Sequence, residues 1–343
     1  MVEVKKEGII LEKTSLGFEN DGVFNPAVIK EGNTVHLFYR AVRVGNYSTV
    51  GYCRLEGPLK VVERYDKPVL FPQFDYEIQG VEDPRIVKID DTYYMSYCTH
   101  DDLNAIGALA TSKDLKEWTK HGIITPLLTY DEFKTLTEVN IGLNEKYYRY
   151  YSDYKLRGFL DKKLYLWDKN IVFFPRRINN QLVYLHRIRP GIQIVKINSL
   201  QDLTKTFWET YMLNFKDNIV LDPKYQHEAS YLGGGAPPIE TKEGWVMIYH
   251  GVEDAPKGYI YNACAALLDL DHPQKEISRL KVALFKPENN YEQEGVVSNV
   301  VFPTGTAMFD ERLYIYYGAA DAKIAVASLN FNELLTELIN SKS

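Results

Sequence analysis

A proline that opens an apolar, alternating strand, followed by a short turn and a second strand rich in tyrosine, recurs five times along this 343-residue chain. The copies run from Asn25-Pro26-Ala27-Val28-Ile29 to Leu37-Phe38-Tyr39-Arg40, and from Glu82-Asp83-Pro84-Arg85-Ile86 to Tyr93-Tyr94-Met95-Ser96-Tyr97. They continue from Phe174-Pro175-Arg176-Arg177-Ile178 to Leu185-His186-Arg187, from Pro237-Pro238-Ile239 to Ile248-Tyr249-His250, and from Phe302-Pro303-Thr304-Gly305 to Tyr314-Ile315-Tyr316-Tyr317. A unit of this kind cannot bury its apolar face alone, so repetition at this spacing predicts stacked sheets around a common centre. The expected fold is therefore all-β: a single domain over 1–343, built as a five-bladed β-propeller with a short C-terminal helix.

The opening prolines are 58, 91, 62 and 66 residues apart, and four-stranded blades take about 40 to 50 residues each, which leaves room for long loops. Strand composition dominates, with hairpin chemistry at Glu31-Gly32-Asn33, Asp90-Asp91, Asn179-Asn180 and Lys242-Glu243-Gly244. Only the tail, about 330–340, reads clearly as a helix, with Leu334, Leu335, Leu338 and Ile339 on one face. The long second step predicts an insertion at about 127–165, between the second and third blades. It carries Tyr130, Tyr147, Tyr148, Tyr150, Tyr151, Tyr154 and Tyr165, and is either a surface excursion or a rim that shapes the cleft or a subunit contact.

A formal net charge of -6 argues against a general nucleic-acid binder, because phosphate backbones call for a basic surface. The first residues lack the apolar stretch of a signal peptide, and no run approaches the roughly 18 apolar residues of a membrane span. The expectation is a cytoplasmic protein without membrane contact, with a homo-oligomer left open. Cys53, Cys98 and Cys264 have no metal-type spacing and sit in apolar surroundings, which predicts buried thiols and no metal site.

In a propeller the innermost strand of each blade lines the central channel, so the residues beside the prolines become site candidates. They form an unbalanced set. An ordinary glycosidase needs two carboxylates across the scissile bond; here Asp83 or Glu82 can be the acid, but the matching place in the first unit holds Asn25, an amide. Lys169, Arg177, Arg187 and His250 supply positive charge. One acid with a surplus of cations suits attack by an external anion such as phosphate. His100 and Asp101, at the end of the second unit, are candidates to face the cleft. The glycine run at 233–235 lacks the Lys-Ser or Lys-Thr of a nucleotide-binding loop and reads better as a close backbone approach at a blade junction.

These residues also carry a resemblance. Phe24-Asn25-Pro26-Ala27, Tyr39-Arg40-Ala41, Gly80-Val81-Glu82-Asp83-Pro84-Arg85-Ile86, Leu185-His186-Arg187, Gly233-Gly234-Gly235-Ala236-Pro237-Pro238, Tyr249-His250-Gly251-Val252, Asn299-Val300-Val301-Phe302-Pro303 and Tyr317-Gly318-Ala319-Ala320-Asp321 resemble, in order and over nearly the whole chain, glycoside hydrolase family 130, the β-mannoside phosphorylases and their relatives. The resemblance implies a five-bladed propeller that cleaves β-mannosidic linkages with inorganic phosphate, inverting C1 to give α-mannose 1-phosphate and a shortened acceptor. It makes Asp83 the general acid, acting through the 3-hydroxyl of the mannosyl unit. Asn25, Arg40 and Asp321 would hold the mannosyl ring; His100 and Asp101, from their place at the end of the second unit, are added as candidate substrate contacts. Lys169, Arg187 and His250 would face phosphate, and Arg85, beside the acid, would orient it or bind phosphate. The partners implied are an oligosaccharide and phosphate as co-substrate, with no cofactor. Two features depart from the pattern: Tyr231-Leu232 stands where many members have Lys-Ile, and the 127–165 insertion has no counterpart. Glu228, three residues before Tyr231, keeps a second reading open, a β-mannosidase in which it activates water; a non-catalytic glycan-binding propeller is the third.

Overall fold

The computed structural model describes residues 2–149, 163–256 and 258–342. In it the chain is mostly β-strand. The strands are β1 (Lys5–Leu11), β2 (Gly22–Glu31), β3 (Thr34–Arg43), β4 (Tyr47–Glu56), β5 (Lys60–Arg64), β6 (Gly80–Ile89), β7 (Thr92–His100), β8 (Ala105–Ser112), β9 (Thr119–Ile123), β10 (Lys169–Phe173), β11 (Leu182–Arg187), β12 (Ile192–Ile197), β13 (Ile219–Leu221), β14 (Tyr231–Gly234), β15 (Ile239–Thr241), β16 (Gly244–Ala255), β17 (Gly258–Leu268), β18 (Glu276–Arg279), β19 (Val301–Phe309), β20 (Arg312–Ala319) and β21 (Lys323–Asn330). Neighbours in sequence pair antiparallel, through β2 to β5, β6 to β9, β10 to β13, β15 to β18 and β19 to β21, and β14 pairs with β16 beside β15. A single parallel bridge, Ser48 with Gly80, links the first two runs into one eight-stranded sheet. β1 pairs with β21, so the first strand of the chain completes the last sheet.

The hairpins form where turn chemistry places them. Asn179 and Asn180 both take positive φ, 49° and 64°, between the bridged residues Ile178 and Gln181, as a type I′ turn requires. Gly32, Asp90 and Asp310 take positive φ at the matching turns of other units. Among the described residues, five apolar clusters lie between the runs, four of them joining runs consecutive in sequence and the fifth joining the last to the first. Phe38 and Val50 meet Ile86 and Met95, Leu109 meets Phe173 and Tyr184, and Leu185 meets Trp245 and Met247. Ile248 and Ala263 meet Ile315 and Tyr317, while Tyr316 and Val326 of the last sheet meet Val23 and Leu37 of the first.

Helices are few. The C-terminal one, Phe331–Asn340, matches the sequence expectation and is capped by the Asn330 side chain, which accepts from Asn332 and Glu333 N–H. Three others among the described residues differ from the expectation: Tyr130–Thr137, opened by a Thr129/Glu132 capping box, Lys205–Leu213, capped by Thr204, and the single turn Asn290–Gln293. Phe133 of the first meets Phe215, just past the second, edge to face at 5.3 Å, so this part of the insertion packs on the third sheet rather than projecting away. Residues 150–162, with Tyr150, Tyr151 and Tyr154, lie outside the described residues. Among those described, no helix is long and apolar enough to cross a membrane. The three cysteines are free and buried.

A buried clamp repeats with the sheets and explains the tyrosine in the recurrent phrase. Tyr39, Tyr97, Tyr249 and Tyr317 each donate to a fully buried glutamate, Glu19, Glu77, Glu228 and Glu292, at 2.8, 2.9, 2.7 and 2.6 Å. Each glutamate is also paired with a cation, Arg64, Lys120, Arg279 and Lys6 respectively. In the third unit His186 takes the tyrosine's register and meets buried Asp168 at 2.6 Å. Carboxylates so deep persist because every one has both a hydroxyl or imidazole partner and, in four units, an opposite charge.

Candidate active site

The site begins with a local break in strand pairing. In β2 the register slips between Phe24 and Ala27, in β6 between Glu82 and Arg85, and in β10 between Lys169 and Val172. At each slip one residue adopts the left-handed conformation: Asn25 (φ 50°), Asp83 (φ 51°) and Asn170 (φ 55°). Asn and Asp tolerate that region better than other side-chain-bearing residues, and a bulge re-aims the side chain it carries. Three equivalent bulges thus bring Asn25, Asp83 and Asn170 to the wall of one cavity of about 150 Å³, lined also by Arg40, Lys169, Arg187, Arg189, Tyr231, Tyr261, Phe302 and Asp321.

One end of this cavity is a hydrogen-bonded acid cluster. Asn25 Nδ2 donates to Asp83 Oδ1 at 2.8 Å. Arg40 donates from Nη2 to Glu82 Oε1 at 2.7 Å, from Nε to Ser48 Oγ at 2.9 Å, and places Nη1 3.6 Å from Asp83 Oδ1. Lys169 Nζ lies 3.6 Å from the other Glu82 oxygen. Burial alone would push the Asp83 carboxyl up; Arg40, Lys169 and Arg85, with the Asn25 hydrogen bond, outweigh it and hold Asp83 below its usual range. Asp321 goes the other way. Its burial, together with the neighbouring charges of Asp83 and Glu82, outweighs Arg40 and Lys169 and pushes it up to about 6.

The other end is cationic. Lys169 and Arg187 face each other in register across β10 and β11, and Arg189 follows two residues on. His250 does not line the cavity; it is fully buried, 4.2 Å from the Phe302 ring centroid, and neither of its ring nitrogens has a hydrogen-bond partner among the described residues. Burial first, then the Arg187, Arg85 and Arg189 charges, hold it well below the usual histidine range, so it is neutral. Asn25 Oδ1 and Asn170 Oδ1 are likewise buried without a partner. The glycine run serves close approach, in line with the sequence expectation: a Cβ on Gly233 would lie 2.5 Å from His250 Cε1 and 2.6 Å from Asn170 Oδ1.

Several sequence candidates lie elsewhere. Arg85 does not line the cavity; its guanidinium donates to the carbonyls of Asp83 (3.1 Å), Pro84 (3.0 Å), Gly234 (3.3 Å) and Gly235 (2.5 Å), riveting the second-sheet bulge to the glycine run. Glu228 corrects the expectation of a water-activating base. Its oxygens accept from Lys224 N–H, Tyr225 N–H, Arg279 Nη1 and Tyr249 Oη, and it belongs to the repeated clamp. Asp101 is occupied in a turn, accepting from Leu103 N–H, Asn104 N–H and Asn104 Nδ2, and His100 Nδ1 accepts from Asp102 N–H; neither lines the cavity. Arg177 sits at the far end of its unit, 3.8 Å from Asp90. The reason is register: Pro175 follows the third bulge by five positions, after β10 has ended, whereas Pro26 and Pro84 are the bulge residues themselves.

Asn170, Arg189, Tyr231, Tyr261 and Phe302 line the cavity without having been singled out as site residues. For Asn170 a signal existed, since Lys169-Asn170-Ile171-Val172 has the same asparagine ahead of an apolar run as Asn25. Chemically, the arrangement offers two carboxyl groups in different protonation environments, Asp83 and Asp321, beside the cations Lys169 and Arg187.

The model of a family described as β-1,4-mannooligosaccharide phosphorylase matches residues 15–339. A 1,2-β-oligomannan phosphorylase from Thermoanaerobacter sp. (strain X514) is 33% identical, with 97% of this chain and 99% of the relative covered. A β-1,2-mannobiose phosphorylase from the same organism is 34% identical over 90% of each. Among solved structures, the β-1,2-mannobiose phosphorylase of Listeria innocua, in complex with β-1,2-mannobiose, superposes with a TM-score of 0.71 at 21% identity, covering 98% of this chain and 99% of that one. A structure of family members described as glycoside hydrolases that target β-1,2 mannosidic linkages in Candida mannan gives the same TM-score at 21% identity, over 95% and 93%.

Proposed function

The chain belongs to glycoside hydrolase family 130, and from that membership and the cavity's two unlike ends we propose that it is an inverting phosphorylase of β-1,2-linked oligomannosides. The observation that carries the reading is one cavity lined by Asp83 with Asn25 and Arg40, and by the cations Lys169 and Arg187. The mannosyl unit sits among Asn25, Arg40, Asp83 and Asp321, with phosphate at the cationic end. Asp83 gives its proton, through the sugar's 3-hydroxyl, to the glycosidic oxygen; the C1–oxygen bond breaks as a phosphate oxygen bonds C1 from the opposite face. Asp83 is left as a carboxylate, and the products are α-mannose 1-phosphate and the shortened oligosaccharide.

The electrostatics couple the two substrates. Asp83 is held ionised by cations, yet must carry a proton to act as an acid. A phosphate dianion beside Lys169 offsets one of those cations and favours the protonated acid. Water brings no such charge, and the sequence's candidate for a water-activating base, Glu228, is bound into the clamp. Inorganic phosphate is thus co-substrate and conditions the acid. His250, which does not line the cavity, lies behind Gly233 with its ring nitrogens unpartnered among the described residues, and touches no phosphate in this scheme. Arg85 contributes charge and holds the glycine run rather than touching the anion.

We infer as well that the sheets close into one five-bladed propeller spanning 1–343. The cluster joining last and first sheets, the pairing of β1 with β21, and the bond from Thr304 Oγ1 to Pro26 O at 2.7 Å support it. Incubation with β-1,2-mannobiose tests the function: mannose 1-phosphate should form only with phosphate present. Free mannose at an equal rate without phosphate would overturn the proposal.

A further inference from the structure

Arg189 lines the cavity beside Lys169 and Arg187 but has no part in the reading above. Its guanidinium carbon lies 4.0 Å from the centroid of the Tyr231 ring, and its Nη2 donates to Tyr231 Oη at 3.2 Å. That hydroxyl is itself 2.5 Å from Tyr261 Oη, and the Tyr231 side chain is almost fully buried on β14. The ring therefore cannot swing, and it fixes the arginine by stacking and by a hydrogen bond at its edge. Arg187 lies against the same ring, 5.5 Å from its centroid. Two guanidinium groups on one aromatic ring repel each other, and an anion between their donors removes that repulsion while giving planar, forked N–H groups the oxyanion they match.

We propose that Arg189, held in place by the Tyr231–Tyr261 hydroxyl pair, binds the attacking phosphate and sets the enzyme's affinity for it. Position 231 thereby acts as a positioning residue, and the positive charge comes from the loop after β11 instead of from β14. The inference rests on the phosphorylase reading for its role in turnover, while phosphate binding as such can be read independently.

The experiment combines steady-state kinetics on β-1,2-mannobiose with calorimetric titration of inorganic phosphate into the resting enzyme, for wild type, Arg189→Ala, Arg189→Lys and Tyr231→Phe. Hydrogen bonds to charged groups are strong enough that Arg189→Ala should raise the phosphate KM and Kd roughly tenfold to a hundredfold, with the mannobiose KM within about twofold. Arg189→Lys should recover part of the loss, and Tyr231→Phe should show a smaller rise confined to phosphate. A phosphate KM and Kd unchanged in Arg189→Ala overturns the inference and leaves the phosphorylase reading standing. Phosphate-independent turnover of the wild type, with phosphate still bound and lost in Arg189→Ala, overturns the reading and keeps the site. Equal rises in both KM values mark a general disturbance of the cavity and overturn the inference. A wild type that neither binds nor uses phosphate overturns both.

Discussion

The Asn25 side-chain amide donates to the Asp83 carboxylate at 2.8 Å, and both residues sit at the left-handed position of equivalent bulges in consecutive antiparallel runs. The proposed acid is thus aimed by its own counterpart in the repeat. Asp83→Asn should lower kcat by about 10² to 10⁴, the usual range for a lost general acid, with the thermal midpoint little changed. Near-wild-type turnover would remove Asp83 from the role. Asn25→Ala should also slow turnover, by about tenfold, because it releases the carboxylate and places a residue with no compensating side-chain hydrogen bond at φ 50°.

Lys169 is one of the cations that hold Asp83 ionised. Removing it raises the Asp83 pKa, so the acid keeps its proton to higher pH. In Lys169→Met, the alkaline limb of kcat/KM for the mannoside, measured at saturating phosphate, should move upward. A limb that stays or moves downward contradicts the assignment.

Asp321 carries a folded-state pKa of about 6 against an ordinary value of 3.8, with burial the main cause. A raised acid binds its proton more tightly in the folded state, so its cost to stability is absent below about pH 4 and complete above about pH 6. The difference corresponds to about 3 kcal/mol. Asp321→Asn should therefore raise the thermal midpoint of the unliganded protein at pH 7 to 8 and leave it nearly unchanged at pH 3.5 to 4, while weakening mannoside binding. A gain that is the same at both pH values would show that ionisation is not its source.

Glu228 separates the clamp from the chemistry. Glu228→Gln leaves Arg279, among the described residues, with Glu276 as its one ion-pair partner in a buried setting, and should cost on the order of 3 kcal/mol in urea unfolding. The folded fraction should keep its kcat and its dependence on phosphate. A complete loss of turnover with unchanged stability would restore Glu228 as a base.

Much of this was legible in the residues. The fivefold phrase announced repeated antiparallel strands, and Asn179-Asn180 and Glu31-Gly32-Asn33 are turns where their chemistry says they should be. Asn25, Arg40, Asp83, Lys169, Arg187 and Asp321 do converge on one cavity. The helix at Lys205–Leu213 lies outside the sequence expectation although Thr204 caps it and Trp208, Tyr211 and Met212 share its buried face. Pro175 misled for a definite reason: prolines favour bulges and strand ends alike, and only the pairing of Lys169 with Arg187 shows that the third bulge lies at Asn170. Glu228 misled because a lone acid near a glycine run looks the same in a string whether it faces solvent or accepts from four donors.

Alternation and turn residues dictate strands and hairpins locally, and the unequal copies of one phrase supply one acid, its amide counterpart and the cations. Which of those charges act together was decided only by the tertiary structure. Side-chain direction at a bulge depends on strand register, and register depends on partners 15 to 20 positions away, as in Phe24 with Arg40 and Lys169 with Arg187. The same nonlocal packing turned Arg85 and Glu228 into braces and brought Arg189 onto the ring of Tyr231, 42 positions along the chain.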